Sequence, residues 1–419
     1  MIKGWKEYKL GDLIHIKHGY AFKGDFFVDH ETENILLTPG NFKIGGGFKD
    51  DKLKYYEGPI PKDYILKYGD VIVTMTDLSK MADTLGFSAK IPNDKNKIYL
   101  HNQRIGLVEK KDVDFDIGFL YWLLRFEGYQ KFVAGSATGA TVKHTSPNKI
   151  YAYKFKAPSN TNTQQKIAKI LSAYDDLIEN NLKRIKLLEE MAQKTYEEWF
   201  VRFKFPGHKT AKFNKETGLP EGWCKRKLEF LCSKITDGTH DSPKQVSNGY
   251  KLITGKHILD GFINFENAYT ISKEDHLSIK KRSGLEKGDI LFSNIGTLGN
   301  IGVVTEDFEY SCKNVIIFKY KHNYSNFLYT YLSNNSTKQK LSNQSTGVAQ
   351  KFYSLKFIRN LQDFFPPNKL IEKFDKKTNE IYRAKYNLHN QNQHLKEARD
   401  ILLPRLMTGM IDVEKIEIN

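Results

Sequence analysis

The stretch QQKIAKILSAYDDLIENNLKRIKLLEEMAQKTYEEWF (Gln164–Phe200) contains neither proline nor glycine. Apolar or small residues fall at Leu171, Tyr174, Ile178, Ile185, Leu188, Ala192 and Trp199. They are alternately three and four apart once Asn181 and Thr195 fill the two remaining positions of the series. A stripe repeating every 3.5 residues keeps one helix face turned toward a partner, which is the pattern of a coiled-coil seam. Asn162 and Thr163, just ahead of it, are residue types that cap helix N-termini. A second stretch of this kind runs from Asn368 to Leu403. Phe374, Ile381, Leu388, Leu395 and Leu402 recur seven apart, with Leu406 beyond them and Lys385, Asn392 and Arg399 between them. Asn181 and Asn392 read as register-setting polar positions, which trade stability for a unique pairing. Pro404 is expected to kink or end the second helix. A single helix of this pattern is better explained as an amphipathic core element. Two of similar length predict an antiparallel pair, a rod of about 54 Å for ~36 residues, with a globular unit at each end.

What precedes each helix also occurs twice. Gly4-Trp5 opens GWKEYKLGDL and Gly222-Trp223 opens GWCKRKLEFL. YGDVIVTMTD (68–77) matches KGDILFSNIG (287–296), each a Gly-Asp turn followed by the period-2 pattern of a strand. GFLYWLL (118–124) matches NFLYTYL (326–332), the length of a short helix. A Thr-Gly-x-x-x-Lys motif appears as TGATVK (138–143) and TGVAQK (346–351), and FKAP (155–158) and FFPP (364–367) end each copy. The order is the same in both, with an offset of roughly 208 to 219 residues. The fold class that follows is mixed α/β (α+β): two similar domains of short strands, Gly-rich turns and few helices, each followed by a long helix. The expected division is 1–160 and 221–367 for the domains, 161–203 and 368–410 for the helices, 204–220 for a polar linker and 411–419 for a tail.

The 419 residues exceed what one ordinary core organises. The net charge of +16 favours a polyanionic partner, nucleic acid or an anionic membrane surface. No apolar run reaches the ~18 residues of a membrane span, and MIKGWKEYKL has no apolar signal-peptide core. Cys224, Cys232 and Cys312 lack the spacing of a disulfide framework or zinc site and are expected to be free thiols in a reducing cytoplasm. Catalytic signatures are missing: there is no phosphate loop, no H-E-x-x-H and no strand followed by G-x-G-x-x-G. An Asn-Pro-Pro-aromatic motif, which would hold a flipped adenine, is also absent; the prolines of FFPPN stand at a strand end. No metal ligand set is expected among the 12 histidines.

Polar turns rich in Lys, His and small hydroxyl residues suit contact with DNA. HGYAFKGDFF (18–27) and TDGTHDSPKQ (236–245) occupy the same place in the two copies. They supply Lys17, His18, Tyr20 and Lys23 in or beside the first, and Thr239, His240 and Lys244 in the second. Thr76, Lys143 and His144 join the first set, and Lys256, Asn294, Thr297 and Lys351 the second. The repeated Lys143 and Lys351 fit phosphate contacts. Arg104 in LHNQRIG offers a planar fork that matches the paired acceptors of guanine, with a strand-end ion pair as the alternative. His101 is expected to pack the turn that presents it.

These residues carry a resemblance. The order of head, helix, head, helix resembles the specificity (S) subunits of type I restriction-modification systems. So do LTPGNF (37–42), GDVIVTMTD (69–77) and LHNQRIG (100–106) in the first head. In the second half LPEGW (219–223), DGTHDSP (237–243), GDILFSNIGTLGNIG (288–302) and ARDILLPRLMTG (398–409) match, so the resemblance covers nearly the whole chain. It implies two target-recognition domains separated by a long antiparallel two-helix coiled coil with approximate two-fold symmetry, Trp5 and Met407 lying together. It implies a non-catalytic reader of double-stranded DNA, each head taking half of an asymmetric bipartite target. The helices would set the gap and dock two adenine-methyltransferase subunits, with motor-nuclease subunits joining for cleavage. S-adenosylmethionine, ATP and Mg would be bound by those partners and no cofactor by this chain. A methylation-only system, a coiled-coil architectural DNA-binding protein and an enzyme acting on nucleic acid are the alternatives.

Overall fold

The structure is a computed structural model that describes residues 4–79, 81–259, 261–321, 323–343 and 352–416. The chain forms two compact units, Met1–Glu179 with Asn392–Asn419, and Asn180–Gln391.

In the first unit the central sheet is antiparallel, in the order Ile14–His18, Ile105–Lys110, Val71–Thr74, Ser88–Lys90. Val71 and Val73 pack into a core with Leu10, Phe119 and Trp122, while Ile72, pointing the other way, packs with Ile35, Leu37 and Tyr99. Helices therefore cover one face and a second sheet covers the other, which is why the strand is buried at every position. That second sheet pairs Asn34–Leu36 with Ile98–Leu100 in parallel. Trp5–Lys9 pairs with Lys154–Pro158, joining the start of the head to its end.

The second unit repeats this order with Cys232–Asp237, Val315–Tyr320, Ile290–Ser293 and Ile301–Val303. Ile290 and Phe292 face one core and Leu291 the other. Tyr250–Ile253 lies parallel to Ser311–Cys312, and Cys224–Lys227 pairs with Gln362–Phe365. The Gly-Asp turns are built alike. Gly69 and Gly288 have φ of 84° and 94°, and Asp70 and Asp289 accept from the backbone N–H three residues earlier, at 2.7 and 2.8 Å.

Helices are more numerous than the sequence suggests. Ile117–Leu123, Glu127–Gly135 and Pro147–Tyr151 lie in the first unit; Ser325–Ser333, Asn335–Asn343, Leu355–Asn360 and Lys273–Ser283 lie in the second. Burial on all sides hides the helical period, since every residue from Phe119 to Leu124 is buried. Lys273–Ser283 is the opposite case, a mostly polar helix defined by its ends: Ser272 accepts from Asp275 N, and Gly284 closes it in the left-handed region.

The long helices span Thr161–Tyr196 and Asn368–Met407. Three expectations about them are corrected. The N-cap of the first is Asn160, whose Oδ1 accepts from Asn162 N at 2.9 Å; Asn162 and Thr163 lie inside the first turn. Pro404 does not end the second helix. It stands within the last turn, where a missing N–H removes one bond and the chain continues to Met407. The seam drifts at the end of the first helix, where Glu197–Val201 forms a π turn and Tyr196, not Thr195, is buried beside Trp199 and Phe200.

The seam residues serve the heads as well as the helix pair. In the first unit Leu171 sits in the head core, Ile178 is buried, and Tyr174, Leu395 and Leu402 are half-buried. Leu403, Leu406 and Met407 join the same core, so Met407 lies in the unit that Trp5 opens. In the second unit Ile185 and Leu188 pack with Leu388 and Phe262, and Phe374 meets the rings of Tyr196, Trp199 and Phe200. Ile381 is half-buried while its neighbour Tyr382 is buried. Asn181 is buried, and the Asn392 amide donates to the Ile178 carbonyl at 3.3 Å. Both helix segments within each unit are antiparallel, with Asp175 beside Arg399 in the first and Glu189 beside Lys385 in the second.

Candidate nucleic-acid interface

In each head a loop leaves the edge strand of the central sheet and lies directly on the backbone of the second sheet. In the first, Tyr20 N donates to the His101 carbonyl at 2.8 Å and Gln103 N to the Tyr20 carbonyl at 3.0 Å. In the second, Thr239 N donates to the Cys312 carbonyl and Asn314 N to the Thr239 carbonyl, both at 3.0 Å. The preceding residue must be glycine: a Cβ on Gly19 would stand 2.1 Å from the Asn102 carbonyl oxygen, and one on Gly238 2.1 Å from that of Cys312. This crossing brings three sequence-distant segments to one end of each central sheet.

At the first crossing Arg104 is exposed and its carbonyl accepts from Met75 N at 3.1 Å. No ion pair or hydrogen bond engages its guanidinium among the described residues, so the strand-end ion pair does not form. His101 is fully buried, and its Nε2 donates to the Ile105 carbonyl at 2.9 Å. Burial pushes it below the usual histidine range, so the neutral ring packs the turn as the sequence suggests. The TGATVK segment is the tip of a hairpin closed by mutual Thr138–His144 backbone bonds. Lys143 and His144 pair with Asp77 and Thr76, and Thr76 Oγ1 lies 3.1 Å from His144 Nδ1. Burial opposes charge on Asp77. Hydrogen bonds from Ser79 N, Thr84 N and Thr84 Oγ1 outweigh it and hold the carboxyl below its usual range, tying the following loop. Lys17 Nζ donates to the Asp63 carbonyl at 2.8 Å and lies over the Tyr64 ring, whereas His18, Tyr20 and Lys23 are exposed.

At the second crossing His240 is committed. Its Nδ1 lies 2.9 Å from Asn314 Oδ1, and its Nε2 lies 2.9 Å from Asp237 Oδ2, whose other oxygen takes Arg282 at 2.5 Å. Lys244, Lys256 and Thr297 are exposed. Lys256 and Thr297 are neighbours through Gly255, where a Cβ would lie 3.3 Å from Thr297 Oγ1. The bridge Ile295–Phe352 repeats the Thr76–His144 bridge. Lys351 and the rest of TGVAQK lie outside the described residues.

Thr76, Thr239 and Asn294 are buried, so they support the turns from beneath and do not reach a ligand. Asn294 Nδ2 donates to the Tyr353 carbonyl at 3.2 Å. Lys313, Asn314, Arg282 and Gln103 belong to the site but were not singled out from sequence. Superposing the copies on Gly19 and Gly238, in place of the Thr-Gly motif, brings them out.

A family model described as the type I restriction modification DNA specificity domain matches residues 2–190. The chain is 25% identical to the type I restriction enzyme EcoBI specificity subunit of Escherichia coli, over 85% of this chain and 74% of that one. It is 24% identical to the MjaIX specificity subunit of Methanocaldococcus jannaschii, over 71% and 70%. The S subunit of a type I restriction-modification system from M. genitalium has the same fold, with a TM-score of 0.55, 15% identity and 96% of each chain covered. With the repeated heads and paired helices, the chain is similar over most of its length to specificity (S) subunits of the type I restriction-modification kind.

Proposed function

We propose that this chain reads double-stranded DNA for a type I restriction-modification complex, each head contacting one half of an asymmetric bipartite target. The observation that carries this reading is the glycine-pinned crossing, built twice, which gathers Lys17, Tyr20, Arg104 and Lys143 in one head and Lys244, Lys256, Thr297 and Lys313 in the other. Lysines supply sequence-independent phosphate contacts, and the guanidinium supplies base readout. The helices set the gap and dock two adenine-methyltransferase subunits, and motor-nuclease subunits join them in the cytoplasm. S-adenosylmethionine, ATP and Mg belong to those partners; this chain contributes recognition and no catalytic group. Among the described residues no helix is long and apolar enough to cross a membrane.

The test is methylome sequencing of cells expressing the chain with its methyltransferase partner. One bipartite motif is expected, with N6-methyladenine on opposite strands of its halves. Exchanging residues 1–158 for another first head should change one half only. Methylation or cleavage of DNA by the purified chain alone would overturn the reading.

A further inference from the structure

Aligned on their crossings, the two turns differ by one residue. His101 corresponds to Cys312, each accepting from the loop above it, and Gln103 corresponds to Asn314, each donating to that loop. The central strands then resume at Ile105 and Val315. Arg104 is therefore the additional residue of the first head and has no counterpart in the second.

The side chains on these turns are used differently. Asn314 is engaged with His240, and the Lys313 ammonium donates to Ser242. Gln103 and Arg104 are exposed, and no side-chain hydrogen bond occupies either among the described residues. Yet the backbone beneath them is fixed at every step. His101 N donates to the Tyr64 carbonyl, Gln103 N to Tyr20, Ile105 N to Asn102 and Met75 N to Arg104, at 2.8 to 3.1 Å, while the buried His101 ring holds the Ile105 carbonyl. A rigid turn with two free planar groups suits base reading, because little ordering remains to oppose binding. The groups are also the ones that match purines, an amide for the N6/N7 edge of adenine and a guanidinium for the O6/N7 edge of guanine.

The geometry points to the Asn102–Arg104 turn as the base-reading element of the first head, with Gln103 a specificity-determining residue for an adenine beside the guanine read by Arg104. This rests on the DNA-reading function proposed above. In the second head the matching amide braces the loop, so that head reads through other groups.

The experiment is methylome sequencing of the full complex carrying Gln103→Ala, Gln103→Glu or Arg104→Ala. Gln103→Ala should reduce discrimination at one base pair of the first half-site by roughly 5- to 150-fold. Gln103→Glu should shift that position toward cytosine, whose N4 amino group a carboxylate accepts. Arg104→Ala should relax a neighbouring position. The second half-site should be unchanged in all three, which also reports that the complex is assembled. An unaltered first half-site with Gln103→Ala and Gln103→Glu would overturn the proposal, as would uniformly weaker methylation at every site, the mark of a phosphate contact. A parent complex with no bipartite motif would instead overturn the function on which the proposal rests.

Discussion

In the first unit the charge beside the helix pair is a chain of three, with Arg125 buried and the other two half-buried: Asp175 accepts from Arg125 through Oδ2 and from Arg399 through Oδ1. Arg125 also donates to the Gly45 carbonyl at 3.0 Å and to the Tyr121 hydroxyl at 2.9 Å, and lies 4.3 Å from the Trp122 ring centroid. In the second unit the charge is a single lysine. Lys385, fully buried, meets Glu189 at 2.5 Å and the Tyr329 hydroxyl at 3.0 Å, with the rings of Phe262, Tyr329 and Tyr386 around it. Both cations stand against a left-handed glycine turn seven residues after a threonine that caps a short helical turn. Arg125 binds Gly45 after Thr38; Lys385 crowds Gly261 after Thr254, where a Cβ would lie 2.3 Å from its nitrogen. The polar seam positions are thus ties between helix and head within each unit. Arginine, with five donors in a fixed fork, needs a network, whereas a lysine ammonium is met by one carboxylate, one hydroxyl and ring faces.

Breaking the larger network should cost most. Burial raises the Asp175 carboxyl, but Arg125 and Arg399 outweigh it and hold it below the usual range; Asp175→Ala leaves the buried Arg125 without a carboxylate and the half-buried Arg399 with Asp400 alone. The first unit should lose about 3–5 kcal/mol in chemical denaturation. The second unit offers a contrast in pH. Burial pushes the Asp375 carboxyl up to about 6, against hydrogen bonds from Phe327 N, Asn326 N and Ser325. Between 3.8 and about 6 the folded chain keeps a proton that the unfolded chain releases. Stability from this group is present in acid and lost as pH rises through that window. Asp375→Asn should remove a slope of up to about 3 kcal/mol between pH 4 and pH 7, read from urea midpoints at each pH. The first unit caps the matching helix with Asp116 from the helix's own start. Glu189→Ala should cost about 2 kcal/mol, less than Asp175→Ala, since the hydroxyl and rings still solvate the ammonium. An equal loss in both would show that the aromatic cage contributes nothing. Smallest is Asn160→Ala, which removes the side-chain cap of the first long helix and should cost about 1 kcal/mol in the same titration. The second helix follows Pro367, whose carbonyl accepts from Leu370 N, and has no such side chain to lose.

Repetition made most of the fold legible. The Gly-Asp turns, the apolar strands at 71–74 and 290–293 and both long helices follow from local pattern. The helices at Ile117–Leu123 and Ser325–Ser333 were visible as matched segments. Their companions were not, because they are too short to show a period: Pro147–Tyr151 and Leu355–Asn360 have five and six residues, and Glu127–Gly135 and Asn335–Asn343 each bury only two. The site was legible in part. Arg104 and the loops after Gly19 and Gly238 were found from residue type. Whether a side chain is free or committed depends on contacts across tens of residues, and so His240 and Asn294 looked available although one braces a loop and the other is buried. In the first head the Thr-Gly motif is a hairpin tip, and the equivalence of the heads is anchored at the glycine crossings.

The division of the chain also bears on its synthesis. The second unit is one uninterrupted segment, Asn180–Gln391, and everything its cores require is translated in a single pass. The first unit is not: Leu403, Leu406, Met407 and Val413 complete the core that Leu10, Phe119 and Leu171 begin. At about 5–20 residues per second, the ribosome takes roughly 12–50 s to pass from Leu171 to Val413. The head that emerges first is therefore the last to be finished. Until then it exposes an apolar face, and a stop codon shortly before Leu403 would spare the second head while stranding the first.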